Sequence, residues 1–134
     1  MLSNSLRLPF EIPDIDYGLR KADGLLRIDK SMLVLEYRIK DGLFGVLKSD
    51  IEEVRIPLRD LDSVEFKKKL FSGRFTIYGR SMQALEEVPG EQGTMVELKV
   101  KRRNRKTAQR LASQVQLQLS ELRLDEMSGD EGQD

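Results

Sequence analysis

The chain has 134 residues, with 23 Lys and Arg balanced by 23 Asp and Glu, so net charge selects neither an anionic nor a cationic ligand. It contains no cysteine and no histidine, which excludes disulfides, thiolate zinc sites, a cysteine nucleophile, a Ser-His-Asp triad and any histidine-ligated metal. Carboxylate pairs, Ser–Lys pairs and oxygen-only metal sites stay formally open, but the side chain best suited to moving protons near neutral pH is missing.

The length fits one domain that buries roughly two-thirds of its unfolded surface. Met1 to Phe10 carries one arginine and no apolar run long enough for a signal peptide core. No stretch approaches the roughly 20 apolar residues of a membrane-spanning helix. The expected compartment is the cytoplasm.

Residues 1–23 read as an N-terminal arm. Leu6, Leu8, Phe10, Ile12 and Ile15 have strand-like spacing, but Pro9 and Pro13 interrupt it, and proline belongs at edges or in irregular chain. Leu25–Asp29 reads as a short strand, followed by a tight turn at Asp29-Lys30-Ser31. Met32–Lys40 alternates clearly, with Leu33, Leu35, Tyr37 and Ile39 on one face and Glu36, Arg38 and Lys40 on the other. That period of two marks an antiparallel strand with one buried face.

Asp41-Gly42 starts a turn, and Leu43, Phe44, Val46 and Leu47 follow as either core plugs or an exposed contact loop. Glu53–Leu58 directs Val54, Ile56 and Leu58 inward. A corner at Leu58–Leu61 leads to Ser63–Leu70, where Val64, Phe66, Lys68 and Leu70 share a phase, and the turn is placed at Ser72-Gly73. Arg74–Gly79 and Thr94–Arg102 are further strands, Ser81–Leu85 is a candidate short one, and Val88–Gly93 is a loop.

From Asn104, a candidate N-cap, the period changes to 3.6. Ala108, Leu111, Ala112, Val115, Leu119 and Leu122 form one apolar stripe, as expected for an amphipathic helix lying on the sheet. Asp125–Asp134 is acidic with little to bury, and is expected to be a disordered tail over 124–134.

About seven strands in meander order followed by one helix, over residues 24–123, resemble a bacterial pleckstrin-homology-like (PH-like) domain. Two segments carry the likeness: Ile56-Pro57-Leu58-Arg59-Asp60-Leu61-Asp62-Ser63-Val64, and the basic turn Arg102-Arg103-Asn104-Arg105-Lys106-Thr107-Ala108 entering the helix. The resemblance implies a mainly β fold: an antiparallel half-open barrel capped by one C-terminal amphipathic helix. It implies a scaffold that binds peptides, proteins or lipid head groups, with no enzyme activity and no cofactor.

Two groups stand out as candidate contacts. Leu43, Phe44, Val46 and Leu47 would suit a protein partner or self-association if exposed. Lys99, Lys101, Arg102, Arg103, Arg105, Lys106 and Arg110 would suit an anionic membrane or a phosphate-bearing ligand. The bland alternatives are a barrel-end plug for the first and a solvated face for the second. The cations also oppose the helix dipole.

Arg27, Lys30, Arg38 and Lys40 do not make the phosphoinositide pattern of the family, because the turn is short and the last two lie at the far end of their strand. Lys67-Lys68-Lys69 with Arg74 and Arg80 reads as edge protection or an anion-facing surface. Nucleic acid is disfavoured, since few aromatics are free to stack beside the cations; Tyr78 is the best placed. The acidic pairs Glu52-Glu53, Asp60-Asp62 and Glu86-Glu87 read as surface, and Gly42–Gly45 lacks the Lys-Ser/Thr of a phosphate loop.

Overall fold

The computed structural model of the chain describes residues 6–132, with side chains to residue 128. Seven antiparallel strands form one sheet: β1 Leu8–Ile15, β2 Arg20–Asp29, β3 Met32–Asp41, β4 Glu52–Pro57, β5 Leu61–Lys68, β6 Ser72–Gly79 and β7 Met95–Lys101. One helix follows, α1 Arg105–Gly132. The order across the sheet is β4-β3-β2-β1-β7-β6-β5. The fold is mainly β, with an open sheet and a C-terminal helix.

The central strand is β1, within the segment expected to be an arm. Leu8, Phe10, Ile12 and Ile15 are all buried, so the alternation there is a true strand signal. The prolines are accommodated locally. Pro9 points outward and is exposed, and Pro13 falls where the β1–β2 register shifts between Ile12 and Ile15, a place where a missing N–H costs little. On its other side β1 meets β7 at Glu11 opposite Lys99.

The β3 alternation is as read: Leu33, Leu35, Tyr37 and Ile39 are buried. Opposite them, on the outer face, Val34 is also fully buried. It sits in register between Arg27 of β2 and Arg55 of β4, whose aliphatic stems cover it while their charged ends stay wet. β2 begins five residues earlier than expected and passes close to its neighbours at Gly24. A Cβ there would lie 2.0 Å from the Glu36 carbonyl oxygen and 2.8 Å from the Phe10 ring.

The two sheet edges, β4 and β5, are consecutive in sequence and separated only by a 310 turn, Leu58–Asp60. Laid flat, seven strands at about 4.8 Å spacing would hold those edges roughly 29 Å apart. Four residue steps reach about 14 Å at most. The sheet must therefore roll until its edges meet at this corner. Leu58 and Leu61 fill the corner at 1% and 0% exposure. The Leu58 N–H donates to the Ser31 carbonyl (2.9 Å), and the Arg80 N–H donates to the Asp60 carbonyl (2.9 Å). The corner is thus tied to the β2–β3 turn on one side and to the end of β6 on the other.

Helix α1 lies mainly against β5 and the corner, and buries Ala108, Leu111, Val115 and Leu119. Ala112 and Leu122 flank the stripe, half-buried. The Gln116 side chain donates to the Val64 carbonyl and Arg123 to the Asp62 carbonyl, so the helix satisfies part of the β5 edge.

Four local expectations are corrected. Gln83–Leu85 is a 310 turn that inserts Leu85 into the core. The chain enters α1 through another 310 turn, Arg102–Asn104, of which Asn104 is the last residue. The β5–β6 turn falls at Lys69–Phe71, with the Lys69 N–H donating to the Ser72 carbonyl (2.9 Å); Leu70 is on the tip and not in the core. The segment expected to be a disordered tail is helical as far as Gly132. There Leu124, Glu126 and Met127 continue a helix that already exists, and Arg80 approaches Glu126 at 4.0 Å. Met1–Ser5 of the expected arm and Gln133–Asp134 of the expected tail lie outside the described residues.

Leu58→Ala should destabilise the fold by about 2–5 kcal/mol, the range for emptying a well-packed leucine site. Leu117→Ala, on the exposed face of α1, should stay within about 0.5 kcal/mol. Urea unfolding midpoints of the two variants check both.

Candidate interaction surfaces

The loop after β3 is held by Asp41, through both its carboxylate and its backbone, and by the Ser49 hydroxyl. The Asp41 carboxylate accepts from the N–H groups of Leu43 (3.1 Å) and Phe44 (2.6 Å). The Asp41 carbonyl accepts from Gly45 (3.0 Å), and the Asp41 N–H donates to Val46 (2.7 Å). Ser49 Oγ accepts from the Ile39 N–H (2.9 Å), closing the base of the loop. These bonds leave the side chains pointing into solvent. Leu43 is 77% and Phe44 84% exposed, and Val46 and Leu47 are about half exposed. None of the four plugs the core.

A second tip stands beside this one. Between β1 and β2, Asp16 and Tyr17 adopt left-handed φ of 51° and 59°, and Tyr17 and Leu19 are exposed. The Gly42 N–H donates to the Leu19 carbonyl at 2.9 Å. Gly42 also presses on Gly18 so closely that a Cβ would meet its carbonyl oxygen at 2.0 Å. The two tips form one unit carrying Tyr17, Leu19, Leu43, Phe44, Val46 and Leu47. On one side runs a shallow depression lined by Tyr17 with the carboxylates Asp14, Asp16, Glu86 and Glu91. Tyr17 and Leu19 were concealed in the sequence because the strand that presents them was read as an arm.

The basic residues are distributed over three elements. Lys99 and Lys101 point outward from β7, and Arg103 follows in the 310 turn. With Pro9, Glu11 and Asp23 they line a cleft of about 160 Å³. Lys101 Nζ lies 3.9 Å from the Glu11 carboxylate, so the cleft is of mixed charge. Arg102, Lys106 and Arg110 are exposed and Arg105 is half-buried. Lys101 is opposite Ser72, which sets the basic junction against the β5–β6 tip with its Lys67-Lys68-Lys69 run. At that tip Leu70 and Phe71 are 76% and 77% exposed. A lysine in the inward phase, Lys68, was the sequence signal that β5 ends before Leu70.

The outer face of β2, β3 and β4 is electrically different. Arg27 meets Glu36 (3.0 Å), Asp29 (3.6 Å) and Glu53 (3.7 Å). Arg55 meets Glu53 (2.7 Å) and Asp29 (3.1 Å), and Lys40 meets Asp23 (2.5 Å). Of the four cations weighed for phosphoinositide contact, Arg27 and Lys40 are thus matched by carboxylates of the same face, while Lys30 and Arg38 are exposed. Tyr78 is likewise engaged, its hydroxyl 3.5 Å from the Glu65 carboxylate. Among the described residues no group of three or more acidic side chains is arranged to hold a metal ion, and no helix is long and apolar enough to cross a membrane.

A scan of protein-family models, a search of curated proteins and a search of solved structures each found no match to this chain.

Asp29 and Tyr37 have displaced pKa values with opposite consequences for stability. The hydrogen bond from Arg55 holds the Asp29 carboxyl below its ordinary 3.8, against a smaller opposing effect of burial. Stability from this group is present above 3.8 and lost as pH falls through the lower folded value. Burial raises the Tyr37 phenol above its ordinary 10.0, and Glu52 and Glu87 add to the shift. That contribution is present below 10.0 and lost as pH rises through the folded value. In denaturation series against pH, Asp29→Asn should flatten the acid limb and Tyr37→Phe the alkaline limb.

Proposed function

We propose that this chain is a non-enzymatic, PH-like interaction module that docks a protein partner on the paired tips bearing Tyr17, Leu19, Leu43 and Phe44. The observation that carries this reading is the bonding of Asp41, by its carboxylate to the N–H groups of Leu43 and Phe44 and by its backbone to Gly45 and Val46, which holds apolar side chains in solvent. A protein rarely leaves large apolar groups clustered and fixed in water without a use for them. Fixing them beforehand lowers the entropy that binding must overcome. Phe and Tyr are also among the residues that concentrate binding energy at interface centres.

The PH-like assignment is supported by the rolled seven-stranded sheet, the corner between β4 and β5 and the single C-terminal helix. Asp16 is already engaged by Arg20, but Asp14, Glu86 and Glu91 beside Tyr17 favour a partner whose apolar cleft is edged by lysine or arginine, because matched potentials steer encounter and reject wrong partners. A second copy of the chain is the other occupant to be distinguished.

The double variant Leu43→Ser/Phe44→Ser should keep the wild-type unfolding midpoint, since both side chains are exposed, yet weaken partner binding at least about tenfold, or 1.4 kcal/mol. A photo-crosslinking residue at position 44 should give one discrete adduct in cell extract that excess unlabelled protein competes away. Light scattering over a concentration series separates self-association from a foreign partner. A strict monomer with no competed adduct sinks the reading.

A further inference from the structure

We propose that the β5–β6 hairpin tip is a second docking element, which seats the protein on an anionic lipid bilayer by inserting Leu70 and Phe71 between head groups. The geometry of the tip is that of a short wedge. Lys68 is the last paired residue of β5, opposite Gly73, and the turn closes through the Lys69-to-Ser72 hydrogen bond. Leu70 and Phe71 therefore project at the very end of a hairpin, both more than three-quarters exposed. Its foot is firm. Gly73 lies so close to the Phe66 ring that a Cβ would meet it at 2.6 Å.

Charge surrounds the wedge. Lys67, Lys68 and Lys69 precede it and Arg74 follows it in sequence. Lys101 is beside it in register, and the chain continues directly into Arg102 and Arg103. Three acids answer this group: Glu65 approaches Lys67 at 3.9 Å, Glu97 meets Arg74 at 3.3 Å and Glu11 approaches Lys101 at 3.9 Å. Among the described residues no ion pair involves Lys68, Lys69, Arg102 or Arg103. The contrast with β2–β4 is the deciding point. There Arg27, Lys40 and Arg55 are held by carboxylates of their own face and the remaining cations, Lys21, Lys30 and Arg38, are scattered along it; here the unpaired cations are gathered around two protruding apolar side chains.

A lipid surface fits that combination better than other polyanions do. Nucleic acid would take the charge but gives the aliphatic Leu70 nothing to stack on, and strand-binding sites present several aromatic platforms. A bilayer takes both parts: leucine and phenylalanine enter the acyl boundary while lysine and arginine meet anionic head groups. The attraction acts within about 8 Å at physiological salt, so it needs cations placed around the wedge, as these are. Along β1, β7 and β6 the tip points away from the Tyr17–Phe44 surface, so the two docking elements do not compete.

The chain contains no tryptophan, so Phe71→Trp supplies a single fluorescent reporter. The intact protein would be mixed with phosphatidylcholine vesicles with and without phosphatidylserine, at low and at physiological salt. The expected result is sedimentation that requires phosphatidylserine and weakens with salt, with a blue shift of the Trp emission on binding. Leu70→Ser/Phe71→Ser should reduce the bound fraction at least about tenfold, and Lys68→Glu/Lys69→Glu should reduce it as far, both with unfolding midpoints unchanged. Absence of sedimentation at low salt overturns the proposal. So does binding without a blue shift, which would mean a diffuse electrostatic contact with no insertion. A blue shift produced by vesicle-free cell extract and not by vesicles would assign the tip to a protein groove and overturn it too. Phe44 variants should bind vesicles normally, which keeps this result independent of the partner-binding test.

Discussion

The architecture depends on a single requirement of chain reach: Leu58–Asp60 must connect strands that lie at opposite edges of a seven-stranded sheet. No flat arrangement satisfies it, and the right-handed twist between neighbouring strands already biases the sheet to curl. Rolling creates the inner face on which Leu8, Leu26, Leu33, Phe75, Ile77 and Leu98 converge. It also leaves a seam that has no strand pairing. The helix is positioned by that seam, with its apolar stripe packed on β5 and the corner, and with Gln116 and Arg123 bonded to β5 carbonyls. Helix, corner and core are consequences of one geometric condition.

Rolling also divides the outer surface. Over β2, β3 and β4, alternate outward residues of opposite sign stand next to one another, and the ion pairs lie above the buried Val34. Exposed pairs of this kind contribute little individually, but they neutralise the face and fix the arginine stems over an apolar residue. Toward the β5–β6 tip and the end of β7 the outward residues Lys67, Arg74, Lys99 and Lys101 are cationic, whereas Glu65, Thr76 and Tyr78 lie further along the same face. Equal totals of acids and bases therefore conceal a polarised molecule. The neutral sum in the composition said nothing about that, because sign segregation is a property of register.

Much of the fold was legible where one periodicity acted alone. β7 alternates without interruption, β3 does so from Leu35 onward, and the stripe from Ala108 to Leu119 follows helical spacing, so burial decided the pattern. The failures came where two signals competed. In β1 the prolines spoke against a strand, yet Pro13 coincides with a register shift, where a missing N–H costs little, and the Pro9 side chain lies on the exposed face. At Leu70, apolar character spoke for the core, while Lys68 two residues earlier had already left it. The site was less legible than the fold. Leu43 and Phe44 could be named as contacts, but their exposure depends on Asp41 bonding its own loop, and their joining with Tyr17 and Leu19 depends on Gly42 meeting Gly18 across two hairpins.

The covering of the β5 edge by α1 bears on how copies of this protein can associate. A sheet with two usable edges is a repeating unit: each copy can accept a neighbour on either side, and growth has no natural end. Here the carbonyls of Asp62 and Val64 are already taken by side chains of the helix, and lysines crowd the remainder of that strand. Among the described residues, only β4 is left with a bare edge. Pairing through it stops at two molecules, because the second copy brings its one bare edge to the contact and has none left to offer. The helix thereby acts as a cap on the β5 side, so that strand addition through β4 would close on itself as a pair.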